Sequence, residues 1–196
     1  MAVLMIAEVP GGTAEHHERI NEEMGIRSSA DLPEGCLSHA AGPTDDGFLV
    51  VDVWETPEHF GRFAESRLGP AAEKVGIPEI SPRILPVHNR IAAGAGTTSG
   101  VIIMIELPGM STGDYDRLIG AMPAHVADGT AHPAVSHIAA AADDGIIVVD
   151  IWGSVEEFVE FAESQIAPAA GEQMPPIDPR IVPVHSHIRP EVPVAG

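Results

Sequence analysis

At 196 residues and 44% hydrophobic content, the chain can build one large domain or two small ones around packed cores. Its formal net charge is -19, with Lys74 the single lysine among 10 basic residues. That excludes nucleic acid and anionic membrane surfaces as partners, since both need clustered cations. The one cysteine, Cys36, rules out an internal disulfide or a cysteine-based metal site, and without a nucleophile signature around it reads as a small buried strand residue.

The start, MAVLMIAEVPGG, has no basic segment, and its apolar run is too short for a leader or a membrane span, so a cytoplasmic protein is expected. Residues AVLMIAEV predict a buried strand ending at Pro10-Gly11. TAEHHERINEEM then places His17, Ile20 and Met24 on one face of a helix capped by Thr13. GCLSHAAG and DDGFLVVDVW predict a hairpin closed by an Asp-Gly turn. TPEHFGRFAESRLGPAAEKVG predicts a second helix, with Thr56 and Pro57 at its start and Phe60, Phe63 and Leu68 inward. RILPVHNRI is a fourth strand, which completes the β-α-β-β-α-β order of a ferredoxin-like fold.

The same signals return at an offset of 98 residues, where AEVPG meets IELPG and DDGFLVVDVW meets DDGIIVVDIW. The last segments, RILPVHNRI and RIVPVHSHI, align at 97. Glu8 thus matches Glu106, His39 matches His137, Asp52 matches Asp150, Trp54 matches Trp152 and His88 matches His185. This implies a tandem duplication, with domains at 1–92 and 101–196 and a small-residue linker at 93–100. Strands apolar on both faces are buried on both. The expectation is an α+β protein whose two ferredoxin-like halves pack sheet to sheet as an intrachain α/β barrel. A monomer with an internal pseudo-dimer, or a homo-oligomer of it, would follow.

The EVP closing the first strand, VVDVWET and VVDIWGS running from third strand to second helix, and Phe60 and Phe158 resemble the dimeric α/β-barrel superfamily, most closely its antibiotic-biosynthesis-monooxygenase branch. The resemblance implies a small-molecule enzyme of the cofactor-independent monooxygenase type, or a related isomerase or cyclase, acting on an apolar aromatic or polyketide-like molecule in the barrel. No cofactor and no metal are expected, with a two-histidine, one-carboxylate metal centre of Glu8, His39 and His88 as the minority alternative. Met5, Phe63 and Ala72 stand where the haem-degrading branch carries its asparagine, tryptophan and histidine, so haem cleavage is not implied. The rival reading is a non-catalytic ligand-binding or structural barrel, and a cavity of roughly 300 Å³ or more lined by His39, Trp54 and Phe48 would discriminate against it.

Strand parity suggests which polar groups face inward. If the cleaner apolar faces (Val3, Met5, Ala7, Val9 and Leu49, Val51, Val53) meet the helices, then Glu8, Asp52, Trp54 and His88 face the barrel. With strand order 4-1-3-2, Glu8 groups with His39, and Asp52 and Trp54 with His88. Each half would then offer a Glu-His and an Asp-His pair, and a carboxylate beside an imidazole suits proton abstraction from a phenol or 1,3-dicarbonyl. The catalytic candidates are therefore His39, His137, Glu8, Glu106, His88 and His185, with His39 or His137 as general base. Trp54, Trp152, Phe48, Asp52 and Asp150 are candidate substrate contacts. His125 and His132 read as exposed loop residues, and neither His16-His17 nor the HSH at 185–187 has metal-site spacing.

Overall fold

The computed structural model describes residues 1–77, 80–91, 100–171 and 177–190. The linker expected at 93–100 lies outside them except for Gly100. The chain divides into two compact units, Met1–Ile84 with Val184–Gly196, and Leu85–Pro183.

In unit 1, β1 (Val3–Pro10) runs antiparallel to β3 (Gly47–Trp54), and β2 (Cys36–Thr44) pairs antiparallel with the other edge of β3. Helix α1 (Ala14–Met24) starts where the Thr13 hydroxyl accepts the amide of His16, and stops at Gly25, whose φ of 70° favours a residue without Cβ. Helix α2 (Pro57–Phe63) is capped by Thr56, and continues through one wide π-turn, Ala64–Leu68, into α3 (Gly69–Val75). The hairpin lies where expected, but its two-residue loop is Asp45-Asp46, with Gly47 opening β3 opposite Thr44. The glycine is needed for space: a Cβ there would lie 2.1 Å from the Val9 carbonyl oxygen.

In unit 2, β4 (Arg83–Ile91) contributes Leu85 onward. The other strands are β5 (Val101–Pro108), β6 (Ser136–Ala142), β7 (Gly145–Trp152) and β8 (Arg180–Pro183). The order β8-β5-β7-β6 is the expected 4-1-3-2. Helix α4 (Thr112–Ala121) begins with a capping box of Ser111 and Asp114 and is followed by the short α5 (Ala124–Ala127). Helix α6 (Val155–Phe161), a second π-turn at Ala162–Ile166 and α7 (Ala167–Ala170) repeat the α2–α3 pattern.

The repeated fourth-strand segments are where the chain changes unit. Val87–Ile91 of β4 pairs with β6 in unit 2, and β9 (Ser186–Ile188), after a break at Val184–His185, pairs with β2 in unit 1. Each segment thereby carries its histidine beside the first helix of the opposite half. Among the described residues no helix is long and apolar enough to cross a membrane.

Register overturns the expected faces. Met5 lies opposite Asp52, Val3 opposite Trp54, Ala7 opposite Val50 and Val9 opposite Phe48, and directly opposed residues share a face. Asp52 and Trp54 are thus on the helix side of the sheet, with Met5, and Met5 and Trp54 pack in one core with Phe60 and Phe63. Glu8 pairs with Leu49 on the opposite face and is exposed, as is Glu106 opposite Ile147. Parity within each strand was right, but polarity was the wrong guide for matching faces across strands. Leu4, Leu49 and Val53, at 0–1% exposure, are as deeply buried as the helix side.

Candidate active site

In unit 1 a network of polar groups lies between the sheet and its helices. His39 and Asp52 are directly opposed on β2 and β3, and His39 Nδ1 stands 2.8 Å from Asp52 Oδ1. A carboxylate can only accept here, so Nδ1 carries the proton and His39 Nε2 is left with its lone pair. That nitrogen lies 3.1 Å from Nε2 of His17, on the buried face of α1. The two ring planes differ by 8° with centroids 5.2 Å apart, so at this nitrogen separation the rings meet edge to edge, nearly coplanar, as for an in-plane N–H···N bond. Since His39 Nε2 accepts, His17 Nε2 donates, and His17 Nδ1 has no proton of its own; the Asn21 amide nitrogen lies 3.4 Å from Nε2 and 3.5 Å from Nδ1. Burial, then the neighbouring His39 and His185, lower the pKa of His17 to about 3, which keeps it neutral.

A cavity of about 610 Å³ opens onto this network, lined by Met5, Ala7, Phe48, Trp54, Phe63 and Leu68 as well as His17, His39 and Asp52. Trp54 packs against Phe60 and Phe63, and the indole is 1% exposed. Cys36 lines the same cavity, but burial and the nearby Asp52 push its thiol far up, so it is no nucleophile. His185 stands edge-on to His17 and Phe48, with Nε2 3.4 Å from Glu18 Oε1.

Unit 2 carries the same Asp–His pair in a closed setting. His137 Nδ1 lies 2.7 Å from Asp150 Oδ1, and the Tyr115 hydroxyl donates to His137 Nε2 at 2.6 Å. Asn89 from β4 donates to the same hydroxyl at 3.0 Å, and Trp152 Nε1 lies 3.4 Å from Asp150 Oδ2. His132, expected to be an exposed loop residue, is buried with its ring 5.3 Å from those of His137 and Phe161. Burial and the neighbouring His137 lower its pKa to about 4. His125, on α5, is exposed as expected. Only about 50 Å³ of space remains, because Ile105, Leu107 and Ile119 stand where unit 1 has Ala7, Val9 and Asn21.

The structure therefore brings together most, though not all, of the expected site residues. His39 and Asp52, like His137 and Asp150, form pairs, with Trp54, Phe48 and Trp152 beside them. Glu8 and Glu106 point away on the other face, so the carboxylate partner of His39 is Asp52 and not Glu8. His88 does not group with Asp52: its Nε2 lies 2.6 Å from Asp116 Oδ1 beside Tyr115. His17, Asn21, Tyr115 and His132 were missed as site residues. One signal was available, a histidine on the apolar stripe of α1 whose counterpart at the 98-residue offset is a tyrosine.

No family model matches the sequence, and no curated protein matches it. Solved structures do. A candidate monooxygenase from Lactobacillus acidophilus superposes with a TM-score of 0.71 at 10% identity, covering 96% of each chain. One from Fusobacterium nucleatum gives 0.68 at 6% identity, covering 96% of this chain and 94% of that one. An uncharacterised ferredoxin-fold protein from Listeria monocytogenes, related to antibiotic-biosynthesis monooxygenases, gives 0.50 at 12%, covering 94% of each. At such identities the likeness shows the fold: α+β, ferredoxin-like, consistent with the dimeric α/β barrel.

Proposed function

Starting from a fold shared with proteins related to antibiotic-biosynthesis monooxygenases, we propose that unit 1 takes a largely apolar small molecule, a phenol or 1,3-dicarbonyl of aromatic or polyketide type, and removes a proton from it. The observation that carries this reading is the 610 Å³ apolar cavity closed over His39 and Asp52, well within the size range of ligand pockets. Asp52 holds His39 in the tautomer whose Nε2 accepts, and stabilises the imidazolium that forms. A bound ligand filling the apolar cavity displaces water, so the stabilised carbanion survives to react with dioxygen in a cofactor-independent oxygenation, or to rearrange in an isomerisation or cyclisation. The ligand lies between sheet and helices, not in the barrel interior expected from strand parity.

Unit 2 is read as the structural counterpart, since Tyr115 already occupies the acceptor of His137 and the remaining space admits no ligand of that size. A probe tests both statements: 1-naphthol, whose absorption changes on ionisation. One molecule is expected to bind per chain and to ionise at neutral pH. His39→Gln should reduce the ionised fraction about tenfold or more. Ala7→Ile with Asn21→Ile, which copy unit 2, should abolish binding while the circular dichroism stays unchanged. Absence of binding to the unaltered protein, or ionisation indifferent to His39→Gln, would overturn the reading.

A further inference from the structure

The two units build the same Asp–His pair and end it differently, in a histidine in unit 1 and in a tyrosine in unit 2. We propose that His17 is the substrate-facing end of a two-imidazole proton relay, in which Nδ1 of His17 takes the proton and His39, against Asp52, holds the charge. This rests on the reading of unit 1 as a proton-abstracting site.

The step balances within the residues present. The substrate O–H or C–H bond breaks with the electron pair left on the substrate, and the proton bonds to Nδ1 of His17. As it does so, the Nε2–H bond of His17 breaks and that proton passes across the 3.1 Å gap to Nε2 of His39. His39 becomes an imidazolium whose Nδ1–H already points at the Asp52 carboxylate. His17 ends neutral, with its proton on the other ring nitrogen.

Three features of the geometry require this order. The near-coplanar approach of the rings lines up donor and acceptor for transfer and blocks direct access to His39 Nε2 in the resting network. His17 and His39 both line the cavity, so with His39 Nε2 taken by His17 the ring nitrogen left to accept there is His17 Nδ1. Finally, two cations cannot coexist 3.1 Å apart, so only one ring holds the added proton. Every neighbour favours His39: Asp52 lies beyond it, whereas His17 faces His185, the neutral Asn21 amide and Phe48, with Glu18 turned to His185. The weak basicity that burial imposes on His17 is no obstacle, because the ring conducts the proton without keeping a charge. The Tyr115 hydroxyl is already engaged on both sides, donating to His137 Nε2 and accepting from Asn89, with no room beside it for a ligand of that size.

The test is nitrogen NMR of the histidine-labelled full chain without ligand. At neutral pH, His39 is expected to carry its proton on Nδ1 and His17 on Nε2. On acidification, the doubly protonated signal should develop on His39, with His17 switching to Nδ1–H at the same midpoint. A resting His17 already protonated on Nδ1, a charge appearing first on His17, or a charged His39 with no switch would each overturn the relay. As a second readout, His17→Phe should bind 1-naphthol and lower its ionised fraction about tenfold or more; unchanged ionisation would overturn the proposal. Failure of the unaltered protein to bind 1-naphthol strikes instead at the reading of the cavity, on which the tautomer switch does not depend.

Discussion

His39 and His137 are one residue placed in two settings, and the difference lies in what meets Nε2. In unit 2 the ring is enclosed by Asp150, Tyr115 and His132, so its loss would strand a buried carboxylate and a phenol hydroxyl together. His137→Ala should therefore cost about 3–5 kcal/mol in urea unfolding, as for a broken buried charged pair. His39→Ala should cost clearly less, because the adjoining cavity lets water reach Asp52. Equal losses would contradict the asymmetry drawn between the units. Both histidines were legible as polar groups on otherwise apolar strands, whereas their partners were not, since His39 and Asp52 are neighbours only through long-range pairing.

Elements owe their shapes here to close approaches as much as to propensity. The β2–β3 hairpin follows its sequence signal, yet the glycine that opens β3 is explained by β1, whose Val9 carbonyl occupies the space of a Cβ. Gly47→Ala should destabilise the protein by about 2 kcal/mol or more, read as a lowered urea midpoint, since relief would require parting β1 from β3. A loss within a few tenths would show that the strands can separate there freely. The π-turns after α2 and α6 repeat at equivalent positions, and in unit 1 Ala64 and Leu68 from that turn line the cavity. Nothing in the 3.6-residue periodicity of the second helix announced the extra residue.

For the molecule as a whole, the buried histidines set a dependence of stability on pH. His17 and His132 are held neutral, at about 3 and about 4 against an ordinary 6.5, so below 6.5 the unfolded chain binds more protons than the folded one. Stability is fully present above pH 6.5 and falls as the pH drops toward 4, by on the order of 1 kcal/mol per pH unit for each group. The double variant His17→Tyr, His132→Phe should flatten the urea-unfolding free energy between pH 6.5 and 4; an unaltered slope would count against the burial of these rings. Two units that each carry an Asp–His pair thus differ in cavity, proton inventory and pH response.

The amino-acid sequence by itself determined the order of strands and helices, the helix caps at Thr13 and Thr56, and the positions where polar groups interrupt apolar strands. These are local properties, carried by period-2 and period-3.6 patterns and by capping chemistry within a few residues. Only the tertiary structure decided that Asp52 faces the helices with Met5, that Glu8 does not, and that the fourth-strand histidines sit beside the first helix of the opposite half. Register is set by hydrogen bonds between strands far apart in the chain, and no strand encodes its partner's alignment alone. The same holds for the cavity, whose 610 Å³ in one unit and 50 Å³ in the other reflect the summed volumes of side chains from several elements. Changes as small as alanine to isoleucine at one strand position become decisive only when the opposing helix closes over them.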